Sequence, residues 1–509
     1  MVNDMPIIGL IFLCIMFVCP ISALFCNRFF ISNPIAAGRV AGYFIGLGCL
    51  TGVGFLVSLS VSQHPTVYLF LSIHTLSLLL CVLVLLVSFI VHRFSLRYMH
   101  GDRLYKRYFL LLSLFTLTAM LMVLADNVFL FWGAWTVSNV LLVLLMVHKK
   151  EWVAAKNAGL LAFYTLICGS LCLLVAFFIL SITYSTSSIS SLTQLSSTEH
   201  LSLLYFSMGL ILIGGLAQSG LFPFHRWLIS SLNSPTPVSA IMHAGLVNGG
   251  GILIVNFAPL MLRCPHLLLL LFIIGSVSAI LGTIWKLMQH DIKKMLACST
   301  MAQMGFMMMQ CGLGLFAAAI AHLCWHGLFK AYLFLSSGSA VKQKKSEAHS
   351  SKISSIMLIA SLLGGLVAMF SFAFMTHKSV SIHQASSFVL FFAYMAGAQL
   401  MLAWVRVHQK VLSLVTGILL SLLSGLLYGA SIQLIYWFIP NIAKLNAPEL
   451  SVIHWTIMAL FGSLWVAFNW GVHHKIGESK LGCWFYMHLF NASQPSRKTV
   501  TTLRKDYNY

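Results

Sequence analysis

Three titratable side chains, His322, His326 and Lys330, recur every four residues inside the apolar stretch AHLCWHGLFKAYLFLSSG. At about 3.6 residues per turn they fall on one stripe of a helix and climb roughly 12 Å along its axis. Imidazoles and an ammonium group in such a row can exchange protons near neutral pH or pass a cation. A zinc site would need three or four converging ligands, and this stripe has no carboxylate. The competing reading is a pair of packing histidines with a lysine that snorkels to the membrane interface. Lys330 lies about seven residues, or roughly 10 Å, from the end of its apolar segment, which is far for snorkelling. Ionisable groups at that depth are functional-site candidates, so a proton or cation relay is expected here.

A stripe of this kind needs helices around it, and the composition supplies them. Of 509 residues, 59% are hydrophobic and only 8% charged, with a mean hydropathy of +0.93. Soluble domains carry about a quarter charged residues. An all-α, polytopic membrane bundle of about 13–15 spans is expected, each span needing about 20 apolar residues. The segments run from 6–26 to 452–472, and those that matter below are 127–147, 202–224, 237–260, 294–311 and 316–337. The first segment lacks a basic leader and a small-residue cleavage site, and reads as a retained span. Four regions follow: N-terminal helices 1–104, a core at 105–345, C-terminal helices 346–475 and a basic tail 476–509.

The net charge of +20 is a topology signal and not a nucleic-acid footprint. Every second loop is basic, and these loops with the tail hold 26 of the 30 lysines and arginines. The loops between them hold Arg263, Lys378 and Lys444, and Lys330 belongs to no loop. The positive-inside rule then puts the N-terminus outside and the tail in the cytoplasm. No phosphate-binding glycine loop and no pair of catalytic carboxylates is present, and acid/base enzymology has few candidates among ten acids. No active site is visible. The 12 cysteines are scattered. The close pair Cys168 and Cys172 has no histidine or carboxylate nearby, which favours small buried hydrophobes over a disulfide or metal site.

Two spans look unlike plain helix. In LILIGGLAQSGLFPFHRWL, Gly214, Gly215, Ser219, Gly220 and Pro223 weaken the hydrogen-bond ladder. HAGLVNGGGILI places His243 and Asn248 beside three glycines. Broken helices of this kind line ion pathways in transporters, and glycines also allow simple close packing. The prolines of SPTPVSA open the second of these spans. Asp291, Lys293 and Lys294 at the start of DIKKMLACSTMAQMGFMM read as interface anchors on composition alone. Asp126, in the ADN turn, is either an access carboxylate at the outer mouth or a turn and helix cap. The serine-rich loop 184–200 and the basic linker KQKKSEAHSSK carry no chemical signature.

FPFHRWLISSLNSPTPVSAIMHAG, DIKKMLACSTMAQMGFMMMQCGLG and HLCWHGLFKAYLFLSSGSAV, in that order, resemble the proton-translocating antiporter-like family. That family includes subunit L of respiratory complex I and the large subunits of Mrp-type antiporters, and the likeness covers residues 105–345. The variants HAGLVNGGGILI, LFKAYLFLSSGS and FWGAWTVSNVLLVLL look closest to the branch formed by membrane subunits of DabA/DabB inorganic carbon transporters. A chain without the long lateral helix that subunit L relatives usually carry is expected. The resemblance implies a proton- or sodium-conducting bundle that binds a soluble, zinc-containing, DabA-like partner on the cytoplasmic face. That partner would be similar to a carbonic anhydrase and hydrate carbon dioxide. Zinc is expected there, and no cofactor in this chain.

By position, His243, Lys293, His326 and Lys330 match proton-pathway residues of the family. Two positions depart. Thr136 stands where the respiratory branch has a glutamate, and Gln218 where most members have a lysine. Gln218 can hold water but cannot carry a proton as an ammonium does. Conduction by the stripe alone, a shifted coupling ion and a non-conducting scaffold all remain open. So does a redox-driven pump subunit of a complex I or hydrogenase type.

Overall fold

A computed structural model describes residues 7–29, 33–62, 66–68, 70–194, 200–342, 354–378, 384–408, 411–439, 448–470 and 479–500. Among these, 14 helices are long and apolar enough to cross a membrane. The expected all-α membrane bundle is therefore what the chain forms, and among the described residues the strands are those of one short hairpin, β1 (Thr66–Tyr68) with β2 (Leu71–Ile73). The basic linker at 343–353, Lys410, Lys444 and Lys475 lie outside the described residues.

The chain divides into two units, each described separately. The first holds Met1–Gly312, His322–Gly338 and Ser493–Tyr509. Its long helices are α1 (Ile7–Phe29), α2 (Pro34–Ser62), α3 (Thr75–Tyr98), α4 (Tyr105–Leu124), α5 (Val128–Met146) and α6 (Val153–Thr183). Shorter pieces follow: α7 (Ile189–Gln194), α8 (Leu201–Gln218), α9 (Arg226–Ile229), α10 (Thr236–Ala244), α11 (Gly249–Asn256) and α12 (Ala258–Leu262). Then come α13 (Pro265–Met288), α14 (Ile292–Gly312) and α15 (Phe316–Ser336), the last counted in this unit from His322 onward.

The expected span at 294–311 is α14, a helix of 21 residues that is more polar than the 14 counted spans. It packs on α13 at a distance only glycine permits. A Cβ on Gly282 would stand 2.5 Å from the Ala302 nitrogen, and one on Gly305 2.6 Å from the Ala279 nitrogen. The two backbones therefore touch, which is how helices associate where lipid removes the hydrophobic drive.

Residues Ser493–Val500 return to the first unit as a strap. Asn157 Nδ2 donates to the Lys498 carbonyl at 2.8 Å and Asn233 Nδ2 to the Thr499 carbonyl at 2.9 Å. Gln289 Nε2 donates to Ser493 Oγ at 2.8 Å, and Lys294 Nζ to Gln494 Oε1 at 3.3 Å. Three places distant in sequence are tied by one short segment.

The second unit holds Leu313–Ala321 and Ser339–Ala492. It is built from α16 (Ser355–Thr376), α17 (Ser386–Val407), α18 (Val411–Phe438) and the helices Val452–Trp470 and Lys480–Ala492. Ala360, Met401 and Val405 form a small core with Met357 and Leu414, and Ser361 Oγ donates to the Ala398 carbonyl at 2.8 Å.

Candidate functional site

Both spans marked by glycine and proline are broken. The first ends as α8 at Gln218, and Gly220 takes φ +59°, a left-handed conformation that favours glycine, before α9 begins. The second runs as α10 to Ala244, tightens into a 3-10 turn at Leu246–Asn248 and resumes as α11. The two breaks meet. Ser219 Oγ donates to the Val247 carbonyl at 2.8 Å, and Asn248 Nδ2 donates to the Ala244 carbonyl at 2.7 Å. Side chains thus satisfy carbonyls that the interrupted helix leaves open, which a bilayer core otherwise penalises by several kcal/mol each.

The histidine and lysine stripe runs along α15 beside these breaks. His326 Nδ1 lies 3.2 Å from Asn248 Oδ1; the amide nitrogen of Asn248 is already donating, so the imidazole nitrogen is the donor. Gly327 permits the approach, since a Cβ there would stand 2.9 Å from the Ala244 carbonyl oxygen. The rings of His322 and His326 stack at 6.1 Å. Lys330, only 1% exposed, gives its ammonium to the Leu296 carbonyl on α14 at 3.1 Å. His243 stacks on Phe334 at 4.3 Å, and Lys293 Nζ donates to the Ser234 carbonyl at 2.9 Å and the Leu232 carbonyl at 3.5 Å.

The structure therefore brings five of the expected residues into one row. His326 lies within electrostatic reach of His322, Lys330 and His243, and His243 within reach of Lys330 and Lys293. Among the described residues no carboxylate pairs with Lys330; the ion pair within 4.0 Å is His148 with Asp102, on another part of the bundle. His243 Nδ1, His322 Nε2 and His326 Nε2 are buried without a hydrogen-bond partner. Such nitrogens are free to accept or donate to whatever passes along the row. Lys293 is more than an interface anchor, because its ammonium binds the turn that leads into α10.

Gln218 lies at the same crossing but as half of a closed amide pair. Its Nε2 donates to Asn139 Oδ1 at 2.9 Å, and Asn139 Nδ2 returns to Gln218 Oε1 at 3.0 Å. The pair is neutral and ties α5 to the end of α8. Thr136 Oγ1 and Trp135 Nε1, on the same helix, are buried without partners. Asp126 is apart from the row: its carboxylate accepts from Ser188 Oγ at 2.6 Å and from the Ser190 nitrogen at 3.0 Å, and also from Ser190 Oγ. That is a cap on α7.

Asn139 and the Leu296 carbonyl belong to the site and were not singled out in the sequence. A lone amide in the apolar run TVSNVLLVLL was the available signal for Asn139. A carbonyl has none. Among the described residues none of the 12 cysteines is in a disulfide, and no group of three His, Cys, Asp or Glu side chains could hold a metal.

Residues 125–424 match the family model described as NADH:quinone oxidoreductase/Mrp antiporter, TM, and residues 62–109 that of complex I chain 5 N-terminus. A probable inorganic carbon transporter subunit DabB of Bacillus subtilis is 34% identical over 455 residues, covering 85% of this chain and 86% of that protein. A probable DabB1 of Halothiobacillus neapolitanus is 36% identical over 323 residues, 60% of this chain; the chain spans 58% of that relative's length. The NADH-ubiquinone oxidoreductase chain 5 of Schizophyllum commune is 36% identical over 259 residues, 51% of this chain and 38% of that one. Among solved structures, the Mrp complex of a Dietzia species shares the fold with a TM-score of 0.63 at 20% identity, covering 95% of this chain and 59% of that one.

Proposed function

Because the chain belongs to the NADH:quinone oxidoreductase/Mrp antiporter family, we propose that it conducts protons or sodium ions along the row of His326, Lys330, His243 and Lys293 to drive inorganic carbon uptake. The observation that carries this reading is Lys330. Its ammonium is 1% exposed, donates to a backbone carbonyl and has no acid beside it among the described residues. An unpaired charge costs several kcal/mol to bury. A chain keeps one there when the charge must be given up and regained.

Relatives named as inorganic carbon transporter subunits support carbon dioxide or bicarbonate as the cargo chemistry. The partner is then a DabA-like soluble zinc protein on the cytoplasmic face, where carbon dioxide is hydrated, and zinc belongs to that partner. The alternation of basic loops supports a cell inner membrane location with the N-terminus outside and the tail cytoplasmic. Relatives named as chain 5 of NADH-ubiquinone oxidoreductase support a second reading, a pump subunit of a redox complex. A non-conducting scaffold is a third.

Affinity isolation of the chain from its own cells, with zinc analysis of what accompanies it, separates them. A large zinc-bearing partner is expected; respiratory subunits in its place would overturn the carbon-uptake reading. In a host lacking carbonic anhydrase, bicarbonate uptake should collapse with an uncoupler or on removal of sodium, and indifference to both leaves only the scaffold.

A further inference from the structure

We propose that α3 and α4 hold a second, separate proton path, which delivers protons from the basic-loop end of the bundle to the broken helix at Asn248. The proposal rests on the conducting role above. Ser88, His92 and Ser95 of α3 share a helix face, and Thr116, Ser113 and Tyr108 of α4 oppose them; all six are fully buried. Six polar side chains in one interface of two apolar helices form two hydrogen-bonded groups one turn apart, Tyr108 with Ser95 and Ser113 with His92, Ser88 and Thr116, and not scattered packing.

The hydrogens in this ladder point one way. His92 Nδ1 lies 2.8 Å from the Ser88 carbonyl, which can only accept, so Nδ1 carries the hydrogen. Nε2 of the neutral ring then accepts from Ser113 Oγ at 3.2 Å. Thr116 Oγ1 donates to the Leu112 carbonyl at 2.9 Å, so Ser88 Oγ is the donor in the 2.6 Å contact with Thr116. Nδ1 also reaches Ser88 Oγ at 3.2 Å. The order is Ser113 to His92 to Ser88 to Thr116. A proton reaching Ser113 Oγ passes to Nε2, the Nδ1 proton moves to Ser88 Oγ, and the Ser88 proton to Thr116 Oγ1. Ser113 Oγ and Ser88 Oγ each gain one proton and lose one, the ring gains one at Nε2 and loses one at Nδ1, and Thr116 Oγ1 on gaining one releases its own to water in the cavity it lines, so no group in the ladder is left charged. Afterwards a bare Nδ1 faces the Ser88 carbonyl, and this repulsion favours return of the ring to its starting tautomer.

Further polar groups or a cavity lie beyond each end of the ladder. Toward the basic loops, Tyr108 hydroxyl lies 2.9 Å from Ser95 Oγ; Ser95 donates to the Val91 carbonyl, so Tyr108 donates to Ser95. The Tyr108 ring meets the edge of His148 at 5.8 Å, and His148 Nε2 is 3.0 Å from Asp102 Oδ1, whose side chain is 23% exposed. Ser95 and His92 are one turn apart, about 4.5 Å along the axis, a gap that one water bridges. At the inner end, Ser88 and Thr116 line a cavity that also touches Ala119, Gly245, Asn248 and Leu323. Asn248 holds His326. The walls between are apolar, so the cavity conducts only while water fills it, and it gates the path by dewetting.

The test is proton flux, read with a trapped pH dye under an imposed potassium diffusion potential, in liposomes holding the complex isolated through the full chain. Thr116→Val removes one hydroxyl with almost no change of shape, Ala119→Leu fills the cavity, and His92→Gln keeps hydrogen bonding without the imidazole. Each should lower flux about tenfold at unchanged folded yield, and Thr116→Ser should restore it. If Lys330→Met abolishes flux while the α3–α4 variants conduct normally per folded protein, the second path is wrong and the conducting role stands. If Lys330→Met is also silent, the conducting role itself fails.

Discussion

At the level of single residues, Lys330 and the Gln218–Asn139 pair behave oppositely. Lys330 is a buried charge without an acid, so Lys330→Met exchanges it for an apolar chain of similar length. That variant should be more stable by about 1–4 kcal/mol, seen as a higher melting temperature in detergent, while bicarbonate uptake is lost. Uptake at the parent level with Lys330→Met would refute the relay. The amide pair is satisfied on both sides. Asn139→Leu and Gln218→Leu should each cost about 1 kcal/mol, and the double variant should cost less than their sum, with a coupling near 1 kcal/mol. Unfolding of the four proteins in a denaturing detergent series measures it; strict additivity would mean that the pair holds nothing.

At the level of helices, close approach decides what substitutions survive. Gly305→Val should stop the protein accumulating in the membrane, because the new side chain meets the α13 backbone, whereas Gly133→Ala on α5 meets nothing within 4 Å. The latter should be neutral or stabilise by up to about 1 kcal/mol, as a helix interior prefers alanine. Quantitative membrane immunoblots of the two variants give the comparison, and equal abundance would remove the close-packing account. The two breaks were legible in the sequence because glycine and proline act locally: Gly214 to Pro223 and Gly245 to Gly251 weaken their own helices wherever those lie. The stripe was legible because a step of four residues fixes a face. The pairing of Asn139 with Gln218 was not, since the residues are 79 apart and their meeting depends on how α5 and α8 are set together. Nor was the ladder around His92, whose hydroxyls look like ordinary small residues until α3 and α4 are set side by side.

At the level of the whole chain, the tie between Ser493–Val500 and the first unit is exposed to experiment. Arg497 and Lys498 are open to solvent, but the carbonyls of Lys498 and Thr499 are held by Asn157 and Asn233. Asn157→Ala with Asn233→Ala should speed trypsin cleavage there by about tenfold, the measure of about 1.4 kcal/mol lost from the closed form. Mass spectrometry of the released peptide reads the rate, and unchanged cleavage would show the strap is held by something else. Cleavage only in inside-out vesicles would place this end in the cytoplasm.

The strap also sets an order of assembly. Asn233 stands between Leu232 and Ser234, whose carbonyls receive the Lys293 ammonium, and Lys294 beside it grips Gln494. The segment that fastens this turn is made after every helix it fastens. A ribosome that has already inserted the spans therefore leaves behind a base still unlatched, and the seat of Lys293 is completed only when residues 493–499 arrive.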